Sequence, residues 1–281
     1  MEKSSRFLGA CLIVALLMLG ATWFFENRGN GSGAANTGEV KSSEAKPAYT
    51  LDDASLGAEI TTLLQQNSGL DTSVSVVDLQ TGKSYHWGDD ASYTAASIGK
   101  LVTATAYLHM VELDQANLDD QVGATTARTA LTKLIEESDN TAWHNLNAVI
   151  TQDGLQRYGG GIGLTSYQAG DNVMTSADAA LLLQKLAGQK LLDQEHTGFL
   201  LSLMKEASMR AYIVAAIPAG TDVYHKVGYL SDRLHDAAII KRGDRSYVLV
   251  IFSKSYGAYD FSQGSAFFGG ITQATLRAFF P

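Results

Sequence analysis

The chain is poor in the residues that several kinds of chemistry require. Its 281 residues include a single cysteine, Cys11, which lies in the apolar N-terminal run, so the remainder has no disulfide, thiol nucleophile or cysteine metal site. The six histidines are scattered without an H-E-x-x-H pair, which argues against a zinc hydrolase. There is no run of Lys and Arg, and the net charge of -8 argues against nucleic acid as a partner. We therefore expect no metal and no cofactor.

Charged residues are also absent from Phe7–Phe25, an apolar stretch whose helical length approaches the thickness of the hydrocarbon core. Lys3 and Arg6 precede it, which favours a cytoplasmic N-terminus. A cleaved signal peptide and a lipobox at Cys11 are the alternatives, and each also places the rest of the chain outside the cytoplasm. The predicted organisation is a cytoplasmic tail (1–6), a transmembrane anchor (7–25), a flexible linker (26–50) and an extracytoplasmic domain (51–281).

The domain has predicted strands at both ends and predicted helices between them. A β-branched run and a Thr81-Gly82 turn predict a hairpin over residues 72–90. Apolar periodicity and capping residues predict helices at 53–66, 97–113, 126–137, 140–158, 175–188, 192–206 and 263–280. Three further strands are predicted at 223–230, 235–243 and 246–255. This order favours an α+β fold, in which one antiparallel sheet is built from N- and C-terminal segments, with flanking helices and an inserted all-α lobe.

Three short motifs carry the candidate chemistry. In chain order they are Ser97-Ile98-Gly99-Lys100, Ser138-Asp139-Asn140 and Lys226-Val227-Gly228. The first places a hydroxyl and an amine three residues apart, on one face of a predicted helix. The second adds a hydroxyl and a carboxamide, and the third adds a cation beside a glycine, where a strand edge can approach a substrate closely. Together they predict a serine acyl-transfer site.

Taken singly, the first two motifs have simpler interpretations. The pattern S-x-x-K also occurs at Ser43–Lys46 and Ser202–Lys205, and about one chance match is expected in a chain of this length. Ser97 differs in lying at the predicted start of an apolar helix, where the dipole and free N–H groups favour a nucleophile. The alternatives are a helix N-cap at Ser97 beside a solvated Lys100, and a turn with a helix cap at Ser138.

In this order the motifs resemble the S-x-x-K, S-D-N and K-[TS]-G pattern of class A β-lactamases and penicillin-binding proteins. The resemblance implies a β-lactamase-like fold over residues 51–281. It further implies that Ser97 is the acylated nucleophile, Lys100 a general base or proton relay, and Ser138 the proton donor to the leaving nitrogen. The implied substrate-binding residues are Asn140, Lys226, Gly228 and Tyr229. The implied partner is a small β-lactam or a peptidoglycan stem peptide, bound by a monomer.

The chain departs from this pattern at two places. Val227 stands where the family has a hydroxyl residue, and its side chain cannot donate a hydrogen bond. No Glu occurs between Thr141 and Asp193, so the carboxylate that activates the deacylating water in class A enzymes is missing. Asp171 is the carboxylate at a comparable place, and a turn role beside Asn172 is favoured for it. The resemblance therefore implies acylation followed by slow deacylation.

Other residues near the motifs have structural interpretations. Glu136 and Glu137 suit a solvated helix end, His225 a packed strand position, and Trp143 and His144 packing within the helical lobe. Two other functions stay open beside a β-lactamase-like hydrolase. One is a D-Ala-D-Ala carboxypeptidase, or a cell-wall amidase or esterase. The other is a catalytically weak, membrane-anchored binding or sensor module.

Overall fold

The computed structural model describes residues 53–281. The predicted anchor (7–25) and linker (26–50) lie outside the described residues, so the structure leaves both predictions untested. Among the helices of residues 53–281, none combines the length and the apolar character needed to cross a bilayer.

Eight helices and nine strands make up the described part of the chain. The helices are α1 (Asp53–Gln66), α2 (Lys100–Glu112), α3 (Ala127–Glu136), α4 (Asn140–Ile150), α5 (Gln152–Gly161), α6 (Ser176–Ala187), α7 (Gln194–Lys205) and α8 (Phe261–Phe279). The strands are β1 (Leu70–Asp78), β2 (Ser84–Gly88), β3 (Tyr93–Thr94), β4 (Gln121–Val122), β5 (Thr125–Thr126), β6 (Val173–Met174), β7 (Asp222–Leu230), β8 (Arg233–Arg242) and β9 (Arg245–Ser255).

The main sheet joins the two ends of the domain, which confirms the predicted α+β fold. Its strand order is β2-β1-β9-β8-β7, and every neighbouring pair is antiparallel. The hairpin of β8 and β9 turns at Gly243, whose φ of 61° suits glycine. Because β7 is the last strand in this order, Lys226, Val227 and Gly228 lie on an edge strand.

Apolar clusters cover both faces of the sheet. Along β9, Leu249 and Ile251 belong to a cluster shared with α1 and α8, whereas Val248 and Val250 belong to a cluster shared with the helical lobe. This alternation is the period-two pattern of a strand buried on both sides. Helix α2 is the central helix of the lobe, and every residue from Lys100 to Leu108 is buried.

Two predicted helices differ from the structure. The helix expected from Ser97 begins as a 3₁₀ turn (Ala96–Gly99), and α2 starts only at Lys100. The helix expected over 140–158 is divided into α4 and α5 at Thr151, which has a φ of 69°. The Thr151 hydroxyl caps α5 by accepting a hydrogen bond of 3.1 Å from Gly154 N, which is a strong start signal for a new helix.

Asn172 connects the segment before α6 to the turn that carries Ser97. Its side-chain Nδ2 donates to Ala96 O (2.8 Å), and its own carbonyl accepts from Ala95 N (2.7 Å). Asn172 has a φ of 50°, a left-handed conformation that Asn tolerates better than most residues. One residue thus supplies both a backbone and a side-chain restraint on the approach to Ser97.

We expect Asn172→Ala to lower the free energy of unfolding by about 1–3 kcal/mol, because it loses a part-buried hydrogen bond and strains a left-handed position. Asn172→Gly is the matched control, since it relieves the strain but still lacks the side-chain bond, and we expect it to lose less. Urea denaturation of each variant measures the difference. Equal stability of Asn172→Ala and the wild type would contradict this account.

Candidate active site

The turn that carries Ser97 is fixed from two sides. Ala96, directly before Ser97, has a φ of 49°, a strained conformation for a residue with a Cβ. On the sheet side, His235 Nε2 contacts Thr94 O at 3.1 Å, while its Nδ1 lies 3.3 Å from Ser253 N. Burial lowers the pKa of His235 to about 4, so the ring is neutral, with Nε2–H donating to Thr94 and Nδ1 accepting from Ser253.

Ser97 lines a cleft of about 260 Å³ together with Ser138, Asn140 and Lys226. Its side chain is half-buried, and within residues 53–281 its hydroxyl makes no hydrogen bond. The predicted nucleophile therefore faces an open space and has an uncommitted hydroxyl.

Lys100 is fully buried, and its ammonium points at the second motif. Nζ donates to the Ser138 carbonyl oxygen, to Ser138 Oγ at 3.1 Å and to Asn140 Oδ1 at 2.8 Å. The ring centroid of Trp143 lies 5.3 Å from the same nitrogen. Burial lowers the pKa of Lys100 to about 8, and the nearby Asp139 carboxylate opposes this shift.

Lys226 approaches the same hydroxyl from the sheet. Its Nζ lies 3.0 Å from Ser138 Oγ and 3.2 Å from Val227 O. Burial and, to a smaller extent, the charge of Lys100 lower the pKa of Lys226 to about 7, while Asp236 acts against both. Because both ammonium groups donate to Ser138 Oγ, its lone pairs are occupied and its own proton is free to be donated.

Gly228 allows the edge strand to approach the nucleophile turn. A Cβ at this position would lie 2.9 Å from both Ala95 O and Ser97 N, closer than such atoms normally pack. The next residue, Tyr229, lines the cleft with a half-exposed ring. The absence of a side chain at Gly228 therefore determines how closely β7 and Ser97 come together.

The structure brings all the predicted site residues together, and it modifies the expectations for their neighbours. Glu136 and Glu137 lie at the end of α3, as predicted, and they also line the cleft. Burial and the carboxylates of Glu206 and Glu137 raise the pKa of Glu136. Asp171, in contrast, is exposed and is not among the residues that line the cleft.

Buried His225 confirms its predicted packing role. Its side chain pairs with Asp236 at 3.1 Å, on the strand face opposite the cleft, since it alternates with Lys226. Trp143, for which only packing is predicted from the sequence, also contacts Lys100. The signal for it was the spacing of three residues from Asn140 on one helix, which places both on the same face.

One group of side chains within residues 53–281 has the composition and spacing to bind a metal ion. His196 Nδ1 lies 3.0 Å from Glu112 Oε1 and 3.4 Å from Asp193 Oδ1. None of these residues lines the cleft of Ser97. Asp193 also caps α7 through His196 N, so an ion pair and a helix cap account for the cluster.

The second S-x-x-K match within the described residues has no such setting. Ser202 and Lys205 lie on α7, where Lys205 is exposed and pairs with Asp222 at 2.8 Å. The Ser202 hydroxyl donates to Phe199 O. Ser202 is therefore a natural control for chemistry attributed to Ser97.

The antiparallel sheet, the inserted helical lobe and the cleft with Ser97, Lys100, Ser138 and Lys226 define a class A β-lactamase-like serine hydrolase. The chain belongs to the Beta-lactamase enzyme family, whose family model matches residues 55–279. Among curated proteins, no relative matches the chain.

Solved structures show the same fold at low sequence identity. PBP-A superposes with a TM-score of 0.74 at 20% identity, over 82% of this chain and 98% of PBP-A. A β-lactamase from Chitinophaga pinensis superposes with a TM-score of 0.73 at 19% identity, over 79% of this chain and 98% of its own. A variant of PBP-A, solved as an acyl-enzyme complex with penicillin G, has a TM-score of 0.74 at 20% identity and covers 80% of this chain and 96% of its own.

Gly228→Ala tests the close approach of β7. We expect the new Cβ to displace the strand from the Ser97 turn and to reduce acylation of Ser97 at least about 100-fold, since small misplacements at a reacting centre have effects of this size. Gly269→Ala is the matched control, because this α8 glycine has open space around its Cβ position. The acylation rate is measured by stopped flow. If Gly228→Ala is acylated as fast as the wild type, the expected displacement of the strand is contradicted.

Lys226→Met tests the energetic cost of the buried ammonium. The pKa of Lys226 is lowered to about 7 in the folded chain and is about 10.4 when unfolded, so the folded state is penalised below pH 7. The penalty disappears as pH rises towards 10. We expect the variant to be about 2–4 kcal/mol more stable than the wild type at pH 6, with a gain that shrinks between pH 7 and 10.

Urea denaturation at pH 6, 8 and 10 measures this gain. Lys205→Met is the control, because this exposed lysine is not expected to destabilise the fold. A constant difference between Lys226→Met and the wild type across the three pH values would show that the charge of Lys226 is not the cause.

Proposed function

We propose that the chain is a serine hydrolase that is acylated at Ser97 by β-lactams or related amides and that deacylates slowly. The observation that supports it most directly is the position of Ser138 Oγ, 3.1 Å from Lys100 Nζ and 3.0 Å from Lys226 Nζ, in the cleft lined by Ser97. The penicillin G adduct of the PBP-A variant is a precedent within the same fold for this kind of acyl-enzyme.

Acylation begins with the proton of Ser97. With a pKa of about 8, a fraction of Lys100 is a neutral amine near pH 7, and this amine accepts the proton from Ser97 Oγ. Oγ then forms a bond with the carbonyl carbon of the substrate, and the carbonyl electron pair moves onto oxygen. The backbone N–H groups of Ser97 and Tyr229 are the proposed donors to that oxyanion.

Collapse of the tetrahedral intermediate breaks the carbon–nitrogen bond. The oxyanion pair re-forms the carbonyl, and the leaving nitrogen takes the proton of Ser138 Oγ. The ammonium of Lys100 returns a proton to Ser138 and becomes neutral again, so the proton of Ser97 ends on the leaving nitrogen. In this proposal Asn140 binds the substrate amide, and Lys226 supplies positive potential for a substrate carboxylate.

Hydrolysis of the acyl-enzyme lacks an evident general base. Residues 141–193 contain no Glu, and Asp171 is exposed and outside the cleft lining. A positioned general base accelerates such a step by about 10²–10⁴-fold. We therefore propose an acyl-enzyme that persists much longer than that of an efficient β-lactamase.

A D-Ala-D-Ala carboxypeptidase, or a cell-wall amidase or esterase, is the second candidate. The missing Glu favours it, because such an enzyme has no need to hydrolyse β-lactams rapidly. Val227 and the missing Glu support the third candidate, a binding or sensor module. The complete set of Ser97, Lys100, Ser138 and Asn140 argues against this third candidate, since binding alone does not require that set. Anchoring of the domain at the membrane by residues 7–25 remains a proposal from the sequence.

Labelling with a fluorescent penicillin tests the acylation. We expect the wild type to be labelled covalently and Ser97→Ala to remain unlabelled, because Ser97 has an uncommitted hydroxyl in the cleft, whereas the Ser138 hydroxyl is hydrogen-bonded to Lys100 and Lys226. Ser202→Ala is the matched control from the other S-x-x-K sequence, and we expect it to be labelled like the wild type. Labelling of Ser97→Ala at the wild-type rate would refute the assigned nucleophile.

The lifetime of the adduct tests the second half of the proposal. Intact-mass spectrometry after a brief exposure to penicillin G is expected to show the mass of one added penicillin, persisting for minutes or longer, and peptide mapping is expected to place it on the peptide that contains Ser97. Nitrocefin turnover measured in parallel is expected to be slow. Rapid turnover without a detectable adduct would contradict slow deacylation, while leaving acylation at Ser97 intact.

A further inference from the structure

The ammonium of Lys100 is buried without a carboxylate bound to it. Its hydrogen-bond acceptors are the Ser138 carbonyl, Ser138 Oγ and Asn140 Oδ1, all of them neutral. The carboxylate of Asp139 is engaged elsewhere, since it caps α4 by accepting from Ala142 N at 2.6 Å. Burial of a charge normally requires a compensating partner, and these three neutral acceptors match the three N–H groups of the ammonium but do not compensate its charge.

The ring of Trp143 lies beneath this ammonium and is the aromatic group that faces its charge. Its centroid lies 5.3 Å from Lys100 Nζ, within the range in which the negative face of an aromatic ring attracts a cation. The ring is also fixed in place. Trp143 Nε1 donates to Thr103 Oγ1 at 2.9 Å, and Thr103 Oγ1 donates to Asn147 Oδ1 at 2.8 Å. This chain links α4 to α2, the helix that begins with Lys100.

We propose that Trp143 is a positioning residue whose indole face replaces a carboxylate as the counter-group of Lys100, directing its ammonium at Ser138 and Asn140. The inference rests on the proposed function only for its effect on catalysis, because the contact itself exists without substrate. Nothing in the resemblance assigned such a role to this position.

The contact acts on the charge of Lys100 in a definite direction. A cation–π contact favours the ammonium over the neutral amine, so it raises the pKa of Lys100 above the value that burial alone would give. Two other ionisable groups act on this ammonium in the cleft. Asp139 at the start of α4 favours the ammonium of Lys100, and the like-charge repulsion between Lys100 and Lys226 on β7 lowers the pKa of Lys226. Removal of the aromatic face should therefore lower the pKa of Lys100, by about one pH unit.

The direct test follows the titration of Lys100 by NMR in the full chain, labelled with ¹³C and ¹⁵N lysine. The Lys100 signal is assigned by its loss in Lys100→Gln. We expect Trp143→Leu to titrate about one pH unit lower than the wild type, and Trp143→Phe, which keeps an aromatic face but loses the bond to Thr103, to titrate closer to the wild type. An unchanged or raised pKa in Trp143→Leu would overturn the proposal.

A second measurement leaves the packing intact, in case Trp143→Leu does not fold. Biosynthetic replacement of tryptophan by mono-, di- and trifluorinated analogues weakens the negative ring face stepwise with little change in shape. Lys100 is expected to titrate progressively lower along this series. Lys83 is an internal control, because it lies over the ring of Tyr85 instead and should not change. A Lys100 titration that does not respond to fluorination would refute the contact.

The effect on catalysis is measured separately. If neutral Lys100 is the base, the acid limb of the acylation rate against pH should move to lower pH in Trp143→Leu, in parallel with the NMR titration. A lowered titration with an unmoved acid limb would retain Trp143 as the counter-group and remove Lys100 as the base. Absence of acylation in the wild type would refute the proposed function without affecting the NMR result.

Discussion

The arrangement of the site depends on one oxygen atom, Ser138 Oγ, that accepts hydrogen bonds from two buried ammonium groups. Lys100 comes from the start of α2 and Lys226 from the edge strand β7. Two like charges so close together repel each other, and burial adds a desolvation cost to each. The fold must therefore supply the free energy that keeps them together. It does so through the buried α2 and the apolar clusters that cover both faces of the central sheet.

The Ser97 turn, like the two lysines, is held in place by contacts from distant parts of the chain. Asn172 fixes it from the segment before α6, and neutral His235 fixes the preceding residues from β8. Gly228 lets β7 pass close to the turn without a clash. Each of these contacts acts on backbone atoms, so the nucleophile is positioned by the peptide chain while its own hydroxyl remains uncommitted. A site of this kind gains precision at the expense of strain, seen in the positive φ values of Ala96 and Ser138.

Much of the fold and of the candidate site was predictable from local sequence. Apolar periodicity, turn residues and helix caps predicted the five strands of the main sheet and most helices but not the short strands β3 to β6. The motif order predicted the residues that meet in the cleft. The division of the helix over 140–158 was only partly predictable. Thr151 is a residue type that caps helices, but its left-handed φ has no local signal of the kind that a glycine gives. The 3₁₀ turn at Ser97 was not predictable either, because its geometry is imposed by Asn172 and Gly228, which are far away in the chain. The contact of Trp143 with Lys100 was missed because a tryptophan on an amphipathic helix usually packs in the core.

Under the proposed function, the cleft holds the groups for one half of a hydrolytic reaction and lacks a general base for the other. Acylation needs a nucleophile, an amine that can be neutral near pH 7 and a hydroxyl that can donate its proton, and all three lie together. Deacylation needs a group that takes a proton from water at the acylated serine. The proposed counter-group of Lys100 is an indole, which stabilises a cation but cannot accept that proton at neutral pH. If an aromatic face replaces a carboxylate as the counter-group here, the charge of Lys100 is balanced without providing a base for water. The stability of the buried lysine is then linked to the proposed long-lived acyl-enzyme.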